Sequence, residues 1–203
     1  MSAPDDLRAE LRKLKRSAQV TRCAQLRDRP TQSVEHRMTP RALCSTAQRI
    51  QTLQTETKEL ETEILSLVRQ VAPELLGLLG VGPITAAQVL VSWSHPGRFR
   101  SEAAFASFAG VSPIPASSGL TIRHRINRSG DRQLNRALPT ITLIRMRLDS
   151  ATKTYVARRV AEGKTSRDAQ RCRKRAICRQ LFKILERASP GSEADREDLP
   201  QAA

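Results

Sequence analysis

Between Ile50 and Val71 the chain keeps one apolar spacing: Ile50, Leu53, Thr57, Leu60, Ile64, Leu67 and Val71, at alternating intervals of three and four. Only a helix gathers such positions into one stripe, and the three-four alternation is the seam of a coiled coil. Thr57 is its one polar member. The stretch QTETKELETE around it is charged and helix-forming, and Pro73 ends the run. Two packings satisfy such a seam: a coiled coil with a partner helix, or a single amphipathic helix folded back on its own domain. We read residues 45–72 as a coiled-coil helix.

The rest of the core must also be helical. Aromatic residues make up only 3% of the 203, so Leu, Ile, Val and Ala carry the burial, and these favour helices. So few rings also argue against a single-strand binder that stacks bases. Lys plus Arg number 35 against 20 Asp plus Glu, a net charge of +15, which points to a polyanionic partner, nucleic acid before membrane. No apolar run is long enough to span a bilayer, and the start MSAPDDLRAELRK has no apolar export core, so a cytoplasmic protein is expected. Cys23, Cys44, Cys172 and Cys178 form no C-x-x-C pair and read as free thiols; no metal site is expected.

In order, residues 1–44 read as a basic linker, helical in part through Leu7, Leu11 and Leu14, with Pro30 and Pro40 predicting breaks. After the coiled coil, residues 73–188 form the main domain. It opens on PELLGLLGVGPITAAQVLVS, which reads as a helix-hairpin-helix with Pro83 at the first position of its second helix. There Gly80 and Gly82 would let the backbone approach a phosphate, with Thr85 in the helix's first turn. A helix capped by Ser101 and closed by Gly110 follows. Next come a short strand or arm over 121–126 and a helix from about Asp131 to Leu148, which Pro139 should kink or split. Gly163 divides a last helical region, 153–188, in which twelve basic residues face three acids and suggest a phosphate-binding face. Residues 189–203 read as a disordered acidic tail.

The chemistry-bearing stretch is GVSPIPASSGLTIRHRINRSGDRQLNRAL, Gly110 to Leu138. A serine hydroxyl before a glycine, Ser118-Gly119, precedes Arg123, Arg125, Arg128, Arg132 and Arg136. A hydroxyl facing guanidiniums suits attack on a phosphodiester: the serine bonds to phosphorus and the arginines hold the phosphate. The same residues also suit a basic loop that grips DNA without chemistry. Ser117 is the alternative nucleophile, and His124 and Asp131 are the candidate general bases.

The blocks APELLGLLGVGPITAAQVLV, RFRSEAAFASFAGVSPIPASSG, RHRINRSGDRQLNRAL and YVARRVAEGKTSRDAQRC, in this order, resemble the insertion-sequence 110/116/902 transposase family over residues 45 to 187. The resemblance implies a mainly α fold: a coiled-coil helix, then a helical transposase domain containing the helix-hairpin-helix and a basic loop or short strand. It implies DNA-mediated transposition through a serine nucleophile, which falls on Ser118, and DNA as substrate. It further implies a guide RNA from the element and homo-oligomers, or association with a full-length transposase, through the coiled coil. In that family an N-terminal acidic-tetrad domain holds magnesium. Here the chain begins where the linker would, and Asp5 and Asp6 cannot form a two-metal site, so no cofactor is expected in this chain. The expectation is a truncated copy that transfers no strand alone, with a non-catalytic nucleic-acid-binding or oligomer-interfering fragment as the alternative.

Overall fold

A computed structural model describes residues 5–27, 34–116, 124, 125, 127 and 129–187. They are mainly helical, as expected. The acidic tail, 189–203, lies outside the described residues. Two compact units emerge, Met1–Thr62 and Glu63–Ala203. Among the described residues no helix is long and apolar enough to cross a membrane.

In the first unit, α1 (Asp5–Arg12) and α2 (Arg16–Ala24) precede α3 (Val34–Val71), which runs on past the division between the units. Arg22 pairs with Glu10 at 2.6 Å, Gln19 Nε2 donates to the Leu11 carbonyl at 2.8 Å, and Leu7, Cys23 and Ala47 are buried. Pro40, expected to break the chain, instead lies inside α3, which begins well before residue 45. A proline deletes one helical hydrogen bond, and the long uninterrupted run that follows outweighs it.

The seam is only partly used. Leu53, Leu60, Leu67 and Val71 are exposed, by 43%, 58%, 61% and 63%. Near its end the helix buries Val68, and Ala72 just beyond it is buried too, with Ile64 packed partly beside them. The core-facing set therefore steps by four (64, 68, 72), not along the predicted seam through Leu67 and Val71. Thr57 is satisfied internally: its hydroxyl donates to the Leu53 carbonyl at 2.6 Å.

The second unit is built on α5 (Pro83–Trp93), α6 (Glu102–Phe108), α7 (Arg132–Leu148), α8 (Ser150–Ala161) and α9 (Ser166–Arg187), entered through α4 (Pro73–Leu76). Helix α7 packs between α5, α8 and α9, and α6 lies on α9. The buried faces follow helical spacing: Leu134, Leu138 and Ile141 on α7; Ile177, Leu181 and Leu185 on α9. Each such side chain contributes about 1.5–3 kcal/mol by leaving water. Phe105 is fully buried, edge-on to Phe99 at 5.1 Å and stacked on Phe182 at 5.5 Å. Pro139, expected to kink or split α7, sits within one continuous helix. Neighbouring Leu138 and Ile141 are buried, and that packing holds the turn whose hydrogen bond the proline removes.

Candidate nucleic-acid interface

The stretch holding the serine pair leaves and re-enters the fold at one place, the C-terminal end of α6. A helix end leaves its last carbonyls unpaired, and here returning chain takes them up. The Ala106 carbonyl accepts from Val111 N at 3.0 Å and Ser112 N at 3.2 Å. The Ser107 carbonyl accepts from Gly110 N at 3.0 Å and from Asn127 Nδ2 at 3.1 Å. The Phe108 carbonyl accepts from Asp131 N at 2.7 Å. Residues before and after the serines are thus stitched to the same helix turn.

Two glycines make this crossing possible. Gly110 has φ +70°, a left-handed conformation that side chains rarely adopt. A Cβ on Gly130 would lie 2.5 Å from Gly110 N and 2.6 Å from its Cα. Beyond the crossing, β1 (Ile114–Pro115) pairs antiparallel with β2 (His124–Arg125), Ile114 opposite Arg125 and Pro115 opposite His124. The ladder closes the segment carrying Ser117 and Ser118. Those two serines, Arg123 and Arg128 lie outside the described residues.

Asp131, a candidate base, is the N-cap of α7: its Oδ1 accepts from Leu134 N at 2.7 Å and from the Ser92 hydroxyl at 2.9 Å. That oxygen is committed to anchoring α7 against α5. Arg98 Nη1 donates to the Ser92 carbonyl at 3.0 Å and stands 5.2 Å from the ring centres of both Phe99 and Phe108. Arg125, Arg132 and Arg136 are exposed. Arg132 and Arg136 lie one helical turn apart on α7, on one face.

At the α4–α5 turn the two glycines differ. Gly80, with φ +85°, packs on α7: a Cβ there would stand 3.0 Å from the Ile141 carbonyl oxygen. Gly82 faces open space, and its N–H donates to Thr85 Oγ1 at 2.9 Å. The first-turn N–H groups of Ile84 and Thr85 have no helical acceptor. Arg145 holds this turn from below. It is 6% exposed, and its Nε donates to the Leu79 carbonyl at 2.7 Å and its Nη1 to Gln180 Oε1 at 2.9 Å. Burial, and secondarily the like charge of Arg173, lowers its pKa from the ordinary guanidinium value.

The basic surface of α8 and α9 is partly spent on structure. Arg175 and Arg179 pair with Glu102 of α6, and Arg171 pairs with Asp168 at 2.8 Å. Glu186 accepts from Trp93 Nε1 at 2.8 Å. Asp149 caps α8 through Ala151 N and Thr152 N, and the Thr152 hydroxyl, chief among these donors, holds its carboxyl below the ordinary range.

Residues 72–157, which take in the α4–α5 turn, the α6 crossing and the ladder, match the family model described as the transposase IS116/IS110/IS902 family. Over those residues the chain matches this transposase family. It is also 37% identical over 115 residues to the "Insertion element IS110 uncharacterized 43.6 kDa protein" of Streptomyces coelicolor, an alignment covering 55% of the chain and 28% of that protein. The chain thus spans well under half of that relative's length.

Among the described residues no group of three or more His, Cys, Asp or Glu could hold a metal ion. Sequence reasoning missed Ser92, Asn127 and Arg145. One of them carried a signal: Arg145 continues the α7 stripe of Leu134, Leu138 and Ile141. Ser129-Gly130 was legible as the turn into α7, but not its contact with Gly110.

Proposed function

We propose that the chain handles DNA in the transposition of an insertion sequence, with Ser118 as nucleophile and Ser117 as its alternative. The observation that carries this is the match of residues 72–157 to a transposase domain within which both ends of the serine segment are clamped. The seryl oxygen forms a bond to phosphorus, one strand's P–O bond breaks, and the departing oxygen takes up a proton as the serine loses its own. Arg125, Arg132 and Arg136, with Arg123 and Arg128, hold the phosphate and offset its developing charge. Gly80, Gly82 and Thr85 form a second backbone contact, made through first-turn N–H groups. It grips DNA without reading bases.

The test incubates the chain with a duplex carrying the element's end, with and without an added acidic-tetrad domain. Mass spectrometry should find a phosphoserine–DNA adduct on Ser118, absent from Ser118→Ala. An adduct that persists in Ser118→Ala with Ser117 intact moves the chemistry to another residue.

The exposed seam favours a further element of the reading, association through α3 with a second copy or a full-length transposase. Leu53, Leu60 and Leu67 stand in solvent, and Thr57, bonded to its own helix, asks nothing polar of a facing helix. Sedimentation should show an oligomer that Leu60→Glu dissociates by at least about tenfold in Kd, since the substitution buries a charge in a seam. A monomer at all concentrations would remove this element. If the oligomer forms and no adduct does, the chain acts as a binding or interfering fragment.

A further inference from the structure

We propose that Arg159 and Arg173, set against Tyr155 where α8 meets α9, seat one backbone phosphate of a bound nucleic acid; this rests on the nucleic-acid reading above. Three guanidiniums surround the Tyr155 ring: Arg158 at 5.7 Å from its centre, and Arg159 and Arg173 each at 5.9 Å. The ring face attracts them but offers them no acceptor. Two carboxylates serve all three. Glu162 is divided between Arg159 at 2.8 Å and Arg158 at 3.6 Å. Asp149 is occupied by the α8 cap and reaches Arg173 only at 3.4 Å.

The shortfall is visible atom by atom. The Nε groups of Arg159 and Arg173 are both buried with no hydrogen-bond partner. Arg145 adds a further cation near Arg173, and the thiol beside Arg159, Cys172, is a weak acceptor. The cluster therefore lacks negative charge and lacks oxygen acceptors, and a phosphate brings both. A guanidinium presents Nε and Nη as a fork that matches two phosphate oxygens. Both side chains are partly exposed, 30% for Arg159 and 23% for Arg173, which leaves an arriving anion access to their guanidiniums. Exposed Lys164 in the α8–α9 connection and exposed Arg167 in the first turn of α9 extend the positive surface as a ligand with repeated phosphates requires.

The experiment follows the Nε–Hε resonances of Arg159 and Arg173 in the nitrogen-labelled wild-type chain. One titration uses a duplex oligonucleotide and another uses inorganic phosphate. Both resonances should shift with the duplex. In anisotropy assays Arg159→Gln with Arg173→Gln should weaken duplex binding about tenfold and flatten the log–log salt slope by about 0.9, the share of one phosphate. The corresponding double lysine variant keeps the charge without the fork and should recover only part of the loss. If the duplex binds while neither resonance moves, the seat is overturned and the nucleic-acid reading stands. If phosphate shifts both resonances but no duplex binds, the nucleic-acid source is overturned along with the reading beneath it. If neither probe shifts them, the cluster only braces α8 against α9, and the proposal fails.

Discussion

Gly130→Ala should be the most damaging single-methyl change in the second unit. The added Cβ would stand 2.5 Å from Gly110 N, 2.6 Å from its Cα and 2.9 Å from the Ala109 carbonyl carbon. All three are backbone atoms, so no side-chain rotation relieves the clash. They are also held by the hydrogen bonds that end α6, including Gly110 N to the Ser107 carbonyl at 3.0 Å. Overpacking commonly costs 1–3 kcal/mol, and a contact against fixed backbone belongs at or above the upper end, about 3 kcal/mol. For a chain of this size the melting temperature should fall by roughly 6–12 °C. Gly82→Ala is the control. Its Cβ would meet nothing within 4 Å, so its melt should stay within about 0.5 kcal/mol of wild type. Thermal denaturation followed by circular dichroism checks both, and equal melts for the two variants would mean the α6–α7 crossing is not the tight contact described. The Ser118 adduct should be lost with Gly130→Ala, because both ends of the serine segment hang from that crossing.

The second large effect is expected at Arg145. Arg145→Met keeps an apolar stem at this buried position of α7 but removes the donors serving the Leu79 carbonyl and Gln180 Oε1. Each polar group left unpaired in a buried setting costs about 1–3 kcal/mol, less the cost of burying the guanidinium itself, and a net loss of about 3 kcal/mol follows. Arg145→Lys should not rescue it, since one ammonium cannot reach two acceptors in different directions as the planar fork does. Denaturant midpoints measure the loss. Hydrogen exchange should show its local sign, faster exchange at Val81, whose N–H donates to the Leu78 carbonyl at 3.0 Å in the turn that Arg145 supports. Unchanged midpoints for Arg145→Met would show that solvent serves Leu79 as well as the guanidinium does.

Punctuation residues made several elements legible in the sequence. Pro83 opens α5, the Ser101 hydroxyl accepts from Ala104 N to cap α6, Gly110 turns the chain after it, and Gly163 at φ +87° separates α8 from α9. Each acts on its immediate neighbours, so a local reading reaches it. The contacts that order the candidate site act at long range. Gly130 meets Gly110 twenty residues away, and Arg145 meets Leu79 across the α5–α7 packing, with nothing in the intervening chain to announce either. Asp131 has a structural role as well: one of its oxygens caps α7. The seam was read by spacing alone, and spacing could not say that Val68 and Ala72 would turn inward while Leu67 and Val71 stayed out. That choice was made by the core formed from α5, α7 and α9.

The pairing of Pro115 with His124 bears on the entropy of any capture event. A segment tethered at one end must give up the freedom of a wandering tail to settle on a ligand. One whose two ends are already fastened has surrendered much of that freedom when the domain folds. The residues between them can therefore differ in length or composition and leave the helices beneath undisturbed.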